Sequence, residues 1–189
     1  MQIIETEIPD LLILKPTVFE DTRGYFFESF NKSVFNERGI DLDFVQDNES
    51  KSSKGVLRGL HYQLAPYAQT KLVRVIEGTV FDVAVDLRIG SPTFGKWHGI
   101  ELSAENKIQF LLPKGFAHGF SVLSESATFI YKCDSLYNPE AERGINFNDP
   151  KLNIDWMIDP QQAIISPKDK VLPNFEQAEM NFKYNKIIL

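Results

Sequence analysis

One short turn between two runs of alternating side chains constrains this chain more than any other feature. Residues 71–76 and 79–87 flank Glu77-Gly78, a connection in which glycine supplies the positive φ that a tight hairpin turn needs. Along the second run, a period of two places Phe81, Val83, Val85 and Leu87 on one face and Val80, Asp82, Ala84 and Asp86 on the other. The first face reads as core. The second mixes two carboxylates with Val and Ala, which fits either the wall of a semi-polar barrel interior or a solvent-facing side.

Further strands are expected at residues 99–102, 108–113, 119–123 and 127–133. Helices are expected only at 32–38, from Asn31 as N-cap to Gly39, and near 173–182. Many short strands with few helices predict a mainly β fold, an antiparallel sandwich or jelly roll, and a double-stranded β-helix jelly roll with few short helices is the architecture chosen. Fifteen Phe, six Tyr and two Trp suit such a core or a cavity with stacking walls. Gly and Pro punctuate most of the chain without a linker or a strong repeat. The 189 residues are therefore read as one domain, 1–189, with a core over about 2–173 and a C-terminal tail over 174–189.

A net charge of −6 argues against general affinity for nucleic acid or an anionic membrane, although an anionic small ligand remains compatible if a few Arg and Lys converge. The N-terminus carries Glu5 and Glu7 where a signal peptide needs basic residues. No apolar run approaches the ~20 residues that span a bilayer. A single cysteine, Cys133, lies in an apolar stretch, reads as a small core residue and fits a reducing compartment. A cytoplasmic protein is expected.

Only three histidines are present: His61, His98 and His118. Residues 113–118, Pro-Lys-Gly-Phe-Ala-His, resemble the second metal motif of the cupins. The first motif, two His one residue apart, is missing, because His61 has Gly59 and Gln63 at i±2. No metal and no cofactor are expected. The remaining chemistry is acid–base: histidine is the side-chain type best suited to exchange protons near neutral pH, and His61 is the candidate that could take one from carbon. A lone His beside Arg58 is also an ordinary core or surface residue. Its possible company is Lys71, His118, Tyr131 and Asp169, and sequence alone does not show that these meet.

The segments 19–28, 44–48, 56–63, 71–74, 80–86, 91–95, 102–106, 115–120, 131–132, 138–139 and 166–169 resemble, in order, those of the dTDP-4-dehydrorhamnose 3,5-epimerases. The resemblance implies a metal-independent homodimeric jelly roll acting on a dTDP-4-keto sugar in the deoxysugar pathway to rhamnose. It implies His61 as base, Asp169 as its partner, Tyr131 as acid and Lys71 at the enolate oxygen, with His118 and Asp82 lining the sugar. It carries nucleotide contacts to Arg23, Glu28, Gln46, Asp47, Asn48, Arg58, Glu142 and Lys168, with a tyrosine on the base. The family often has two adjacent Tyr before its Asn/Ser-Pro step. This chain has Leu136-Tyr137, so Tyr137 takes the stacking position. Alternatives are a mono-epimerase or ketoisomerase on a related 4-keto sugar nucleotide, and a non-catalytic or metal-dependent sugar-binding cupin.

Overall fold

The computed structural model describes residues 1–184. Its strands are β1 (Gln2–Glu5), β2 (Leu12–Lys15), β3 (Phe19–Asp21), β4 (Gly24–Phe26), β5 (Gln46–Ser53), β6 (Leu57–Gln63) and β7 (Lys71–Glu77). They continue with β8 (Thr79–Asp86), β9 (Trp97–Ser103), β10 (Gln109–Leu112), β11 (Phe116–Val122), β12 (Ser126–Cys133) and β13 (Glu142–Gly144). Two antiparallel sheets face each other, one in the order β1-β2-β10-β7-β12-β5 and the other β13-β6-β11-β8-β9. The fold is the expected jelly roll. β3 and β4 form a separate two-stranded hairpin.

β7 and β8 are the expected hairpin strands, but they do not pair. β7 joins one sheet and β8 the other, so Gly78 marks the corner between layers rather than a hairpin turn. Its φ of 77° needs glycine, and a Cβ there would stand 2.0 Å from the Ser126 carbonyl oxygen. The ambiguous face of β8 points inward, since Asp82 and Asp86 are both completely buried. Asp86 accepts hydrogen bonds from Arg88 Nε (2.9 Å), Ser91 Oγ (2.6 Å) and Thr93 Oγ1 (2.7 Å), which satisfies its buried charge.

Three apolar layers follow. Val73, Val75, Val80, Phe110, Phe120 and Phe129 pack between the sheets. Leu12, Leu14, Leu72 and Leu111 cover the outer side of the six-stranded sheet with Phe35 of α1 (Lys32–Asn36). This helix starts as expected at Asn31, whose side chain accepts from the Ser33 and Val34 N–H groups. The outer side of the five-stranded sheet buries Leu57, Val83, Val85 and Leu87 under Ile145, Leu152, Trp156, Phe175 and Phe182.

That last layer corrects the reading of the C-terminus. The expected helix near 173–182 is only a 3-10 turn, Phe175–Gln177. Phe175 and Phe182 belong to the core, and Arg88 stacks 4.9 Å from the Tyr184 ring centroid, so the packed region extends past 173. The rest of the expected tail, residues 185–189, lies outside the described residues. No helix among the described residues is long and apolar enough to cross a membrane.

Candidate active site

Beside the apolar packing, the interior holds a cavity of about 540 Å³. Arg58 and His61 of β6 and His118 of β11 reach it from the five-stranded sheet. Asn48 of β5, Lys71 of β7 and Tyr131 of β12 reach it from the six-stranded sheet, and Lys168 and Asp169 arrive with the C-terminal segment.

Residues three apart on a regular strand point to opposite faces, yet Arg58 and His61 share this cavity. The reason is a bulge. His118 pairs with His61 whereas Phe120 pairs with Arg58, so β6 carries one extra residue against β11. Gly59 occupies the bulge with φ 133°, and a Cβ there would meet Gly119 Cα at 2.5 Å. Only glycine fits, and the period-two count made from the sequence around His61 fails at this point.

His61 Nε2 lies 2.7 Å from Asp169 Oδ1. A carboxylate only accepts, so the neutral ring carries its proton on Nε2 and leaves the Nδ1 lone pair available as a base. Asp169 is itself fixed. Its N–H donates to Ser166 Oγ at 3.1 Å, and its Oδ2 accepts from the Gly59 N–H at 3.5 Å. Burial pulls the Asp169 carboxyl up, but the His61 hydrogen bond and charge, with the smaller backbone bond, outweigh it and hold the group below its ordinary value. The stability this confers is present above the ordinary carboxyl pKa and is lost as pH falls through the lowered one.

A second His–carboxylate pair lies beside the first. His118 Nε2 sits 2.9 Å from Asp82 Oδ2, and both residues are buried. Burial raises the Asp82 pKa against the opposing pull of His118 and Lys71. Lys71 Nζ stands 5.7 Å from the centroid of the Tyr131 ring. Desolvation lowers the lysine's pKa, while burial and then neighbouring Cys133 raise that of the tyrosine and keep its hydroxyl protonated. Cys133 is a buried free thiol pushed up to about 11 by desolvation, as expected of a core residue. His98 stands apart, against Glu7 at 2.9 Å.

The nucleotide candidates divide into three groups. Arg58, Asn48 and Lys168 line the cavity. Gln46 donates to Asn48 Oδ1 (3.1 Å) and accepts the Tyr137 backbone N–H (2.9 Å). Glu142 accepts from the Tyr137 hydroxyl (2.6 Å) and from the Lys168 ammonium. These bonds hold Tyr137 with its ring exposed, so Glu142 acts on its neighbours as much as on a ligand. Asp47, Arg23 and Glu28 do not line the cavity of their own chain. Asp47 is on the outward side of β5 because it alternates with Gln46 and Asn48, and it pairs with Lys132 at 2.8 Å. Arg23 pairs with Asp21 on the exposed β3–β4 hairpin, and Glu28 accepts from Asn31 at 2.8 Å. Ser52, which bonds Arg58, was not singled out, because nothing distinguishes it in a polar run of eight residues.

A carboxylate-held histidine and a protonated tyrosine on facing walls of a jelly-roll cavity are groups suited to an isomerase that takes a proton from one side of a carbon acid and returns one to the other. The profile of the dTDP-4-dehydrorhamnose 3,5-epimerase family matches residues 5–177. The Shigella flexneri dTDP-4-dehydrorhamnose 3,5-epimerase is 60% identical over 170 residues, 89% of this chain and 93% of its own. A crystal structure of the Legionella pneumophila dTDP-6-deoxy-D-glucose-3,5-epimerase in complex with dTDP-4-keto-L-rhamnose superposes with a TM-score of 0.93. It has 51% identity and covers 97% of this chain and 98% of that one. A 3′-monoepimerase from Streptomyces bikiniensis in complex with dTDP-quinovose has a TM-score of 0.84 at 35% identity, covering 89% and 85%. The chain belongs to the dTDP-4-dehydrorhamnose 3,5-epimerase family.

Proposed function

We propose that this cavity inverts C3 and C5 of dTDP-4-dehydro-6-deoxy-D-glucose, giving dTDP-4-dehydro-L-rhamnose for dTDP-L-rhamnose synthesis in the cytoplasm. The observation that carries the site assignment is the opposition of His61 and Tyr131 on facing sheets. The 4-keto group acidifies the hydrogens at C3 and C5. His61 Nδ1 takes each proton, and the electron pair moves to the C4 oxygen, where Lys71 stabilises it while His118 and Asp82 line the sugar. The Tyr131 hydroxyl then protonates carbon from the far side, and solvent resets the imidazolium and phenolate. The scheme calls for no metal, because His61 and Tyr131 carry the protons and Lys71 meets the charge on the C4 oxygen.

The test is turnover in deuterated water. Both C3 and C5 of the product are expected to carry deuterium, with or without a chelator. Exchange at neither carbon removes the assignment, and exchange at one alone makes the protein a mono-epimerase. Tyr131→Phe is expected to keep exchange at the substrate carbons while inverted product forms at least about 10²-fold more slowly. NMR of the recovered sugar separates the two.

The enzyme is proposed to act as a homodimer. Arg23 and Glu28 lie off the cavity of their own chain, on or beside a hairpin that exposes Phe19 (64%), Tyr25 (59%) and Phe26 (67%). A second copy covering that hairpin would bury these rings and bring Arg23 toward its diphosphate. Light scattering is expected to give a mass about twice 21.6 kDa. Equal mixing and refolding of inactive His61→Ala and Arg23→Ala chains is expected to restore activity, because a mixed dimer then holds one complete site. A monomer, or mixing without rescue, contradicts it.

A further inference from the structure

We propose that Ser52 is a positioning residue that presents Arg58 to the substrate's diphosphate; this rests on reading Arg58 as a phosphate ligand. Ser52 lies on β5, which belongs to the six-stranded sheet, and its side chain is buried. Its Oγ accepts a hydrogen bond from Arg58 Nε at 3.1 Å. Arg58 is on β6 in the other sheet, so this bond spans the two walls of the cavity.

The choice of atom and partner matters. A guanidinium offers two edges for bidentate contact, one at its end through Nη1 and Nη2 and one at its side through Nε and Nη2. With Nε held by Ser52, the side edge is closed and the end edge, with one N–H from each of Nη1 and Nη2, stays open for phosphate oxygens. A hydroxyl holds the group without cancelling its charge. The contrast is Arg88, whose guanidinium is matched by Asp86 and Asp10 at 2.9 and 2.6 Å and is therefore structural. Among the described residues no carboxylate pairs with Arg58, so its charge remains available to the ligand. Fixing the side chain before binding also spares part of the ordering that a long, flexible cation otherwise undergoes.

The experiment measures thymidine diphosphate binding by calorimetry and steady-state kinetics for Ser52→Ala, Ser52→Thr, Arg58→Met and the Ser52→Ala/Arg58→Met pair. Ser52→Ala is expected to raise Kd and KM about 3- to 10-fold with kcat within 2-fold and Tm unchanged. Ser52→Thr, which keeps Oγ, is expected to restore both constants, and Ser52→Ala is expected to add nothing in the Arg58→Met background. An unchanged Kd in Ser52→Ala overturns the proposal, as does an equal loss in the Arg58→Met background. If Ser52→Ala is silent while Arg58→Met binds poorly, only the role of Ser52 falls. If Arg58→Met binds as well as wild type, the phosphate reading of Arg58 falls with it.

Discussion

Replacing His61 by alanine is expected to lower kcat by about 10⁴-fold, the upper end for a single acid–base group, while thymidine diphosphate affinity stays within about 2-fold. Hydrogen exchange at C3 and C5 should vanish as well, because no other base in the cavity is backed by Asp169. The alanine variant also removes the bond that offsets the burial of Asp169. Its carboxyl pKa then rises, and stability at neutral pH falls by about 1–3 kcal/mol for the stranded acceptor. His61→Asn separates the two effects. Its amide keeps an N–H donor for Asp169, so Tm is expected to recover while turnover does not. Exchange that persists in both variants moves the base elsewhere. A parallel loss of nucleotide affinity recasts His61 as a structural residue.

How far the sequence revealed this site depends on whether period-two patterning survives locally. The alternation in β8 was readable because Phe81, Val83 and Val85 contrast with Asp82 and Asp86. Which side was interior was not readable, because both faces turned out to be buried, one between the sheets and one beneath residues 145–182. β5 left no apolar signature at all. Gln46, Asn48, Ser50 and Ser52 face inward and Asp47, Glu49 and Lys51 face outward, so both faces are polar and hydrophobic periodicity is blind to the strand. The bulge at Gly59 defeats counting altogether. Only the backbone shows that Arg58 and His61 point the same way. The pairing of His61 with Asp169 joins residues 108 apart in sequence, and the order of motifs, not any local pattern, was what suggested it. Neither could local pattern show that β7 and β8 separate at Gly78, since a sheet corner and a hairpin use the same glycine.

Lys71→Met is expected to move activity and stability in opposite directions. Lys71 holds its ammonium 5.7 Å from the centroid of the Tyr131 ring on the wall facing His61, and in the proposed mechanism it meets the charge that forms on the C4 oxygen. Removing one such preorganised donor costs about 10²–10³ in kcat. Binding of thymidine diphosphate, which lacks the keto sugar, is expected to change little. The same lysine burdens the fold. Desolvation lowers its pKa below the ordinary 10.5, and attraction from Cys133, Asp82 and Glu142 offsets this only in part. A lysine with a lowered folded pKa binds its proton more weakly folded than unfolded. Its cost to stability is therefore full below the folded value and disappears as pH rises past 10.5. Methionine fills similar volume without that charge, so Tm at neutral pH is expected to rise by about 2–4 °C, as for about 1 kcal/mol in a chain of this size. The gain should shrink as pH is raised toward 10.5. Asp82 limits it, because loss of the neighbouring ammonium lets burial raise that carboxyl further. A Met variant with unchanged kcat removes Lys71 from the enolate. One that loses activity and stability together makes the ammonium a structural partner of Asp82 instead of a charge held ready for the transition state.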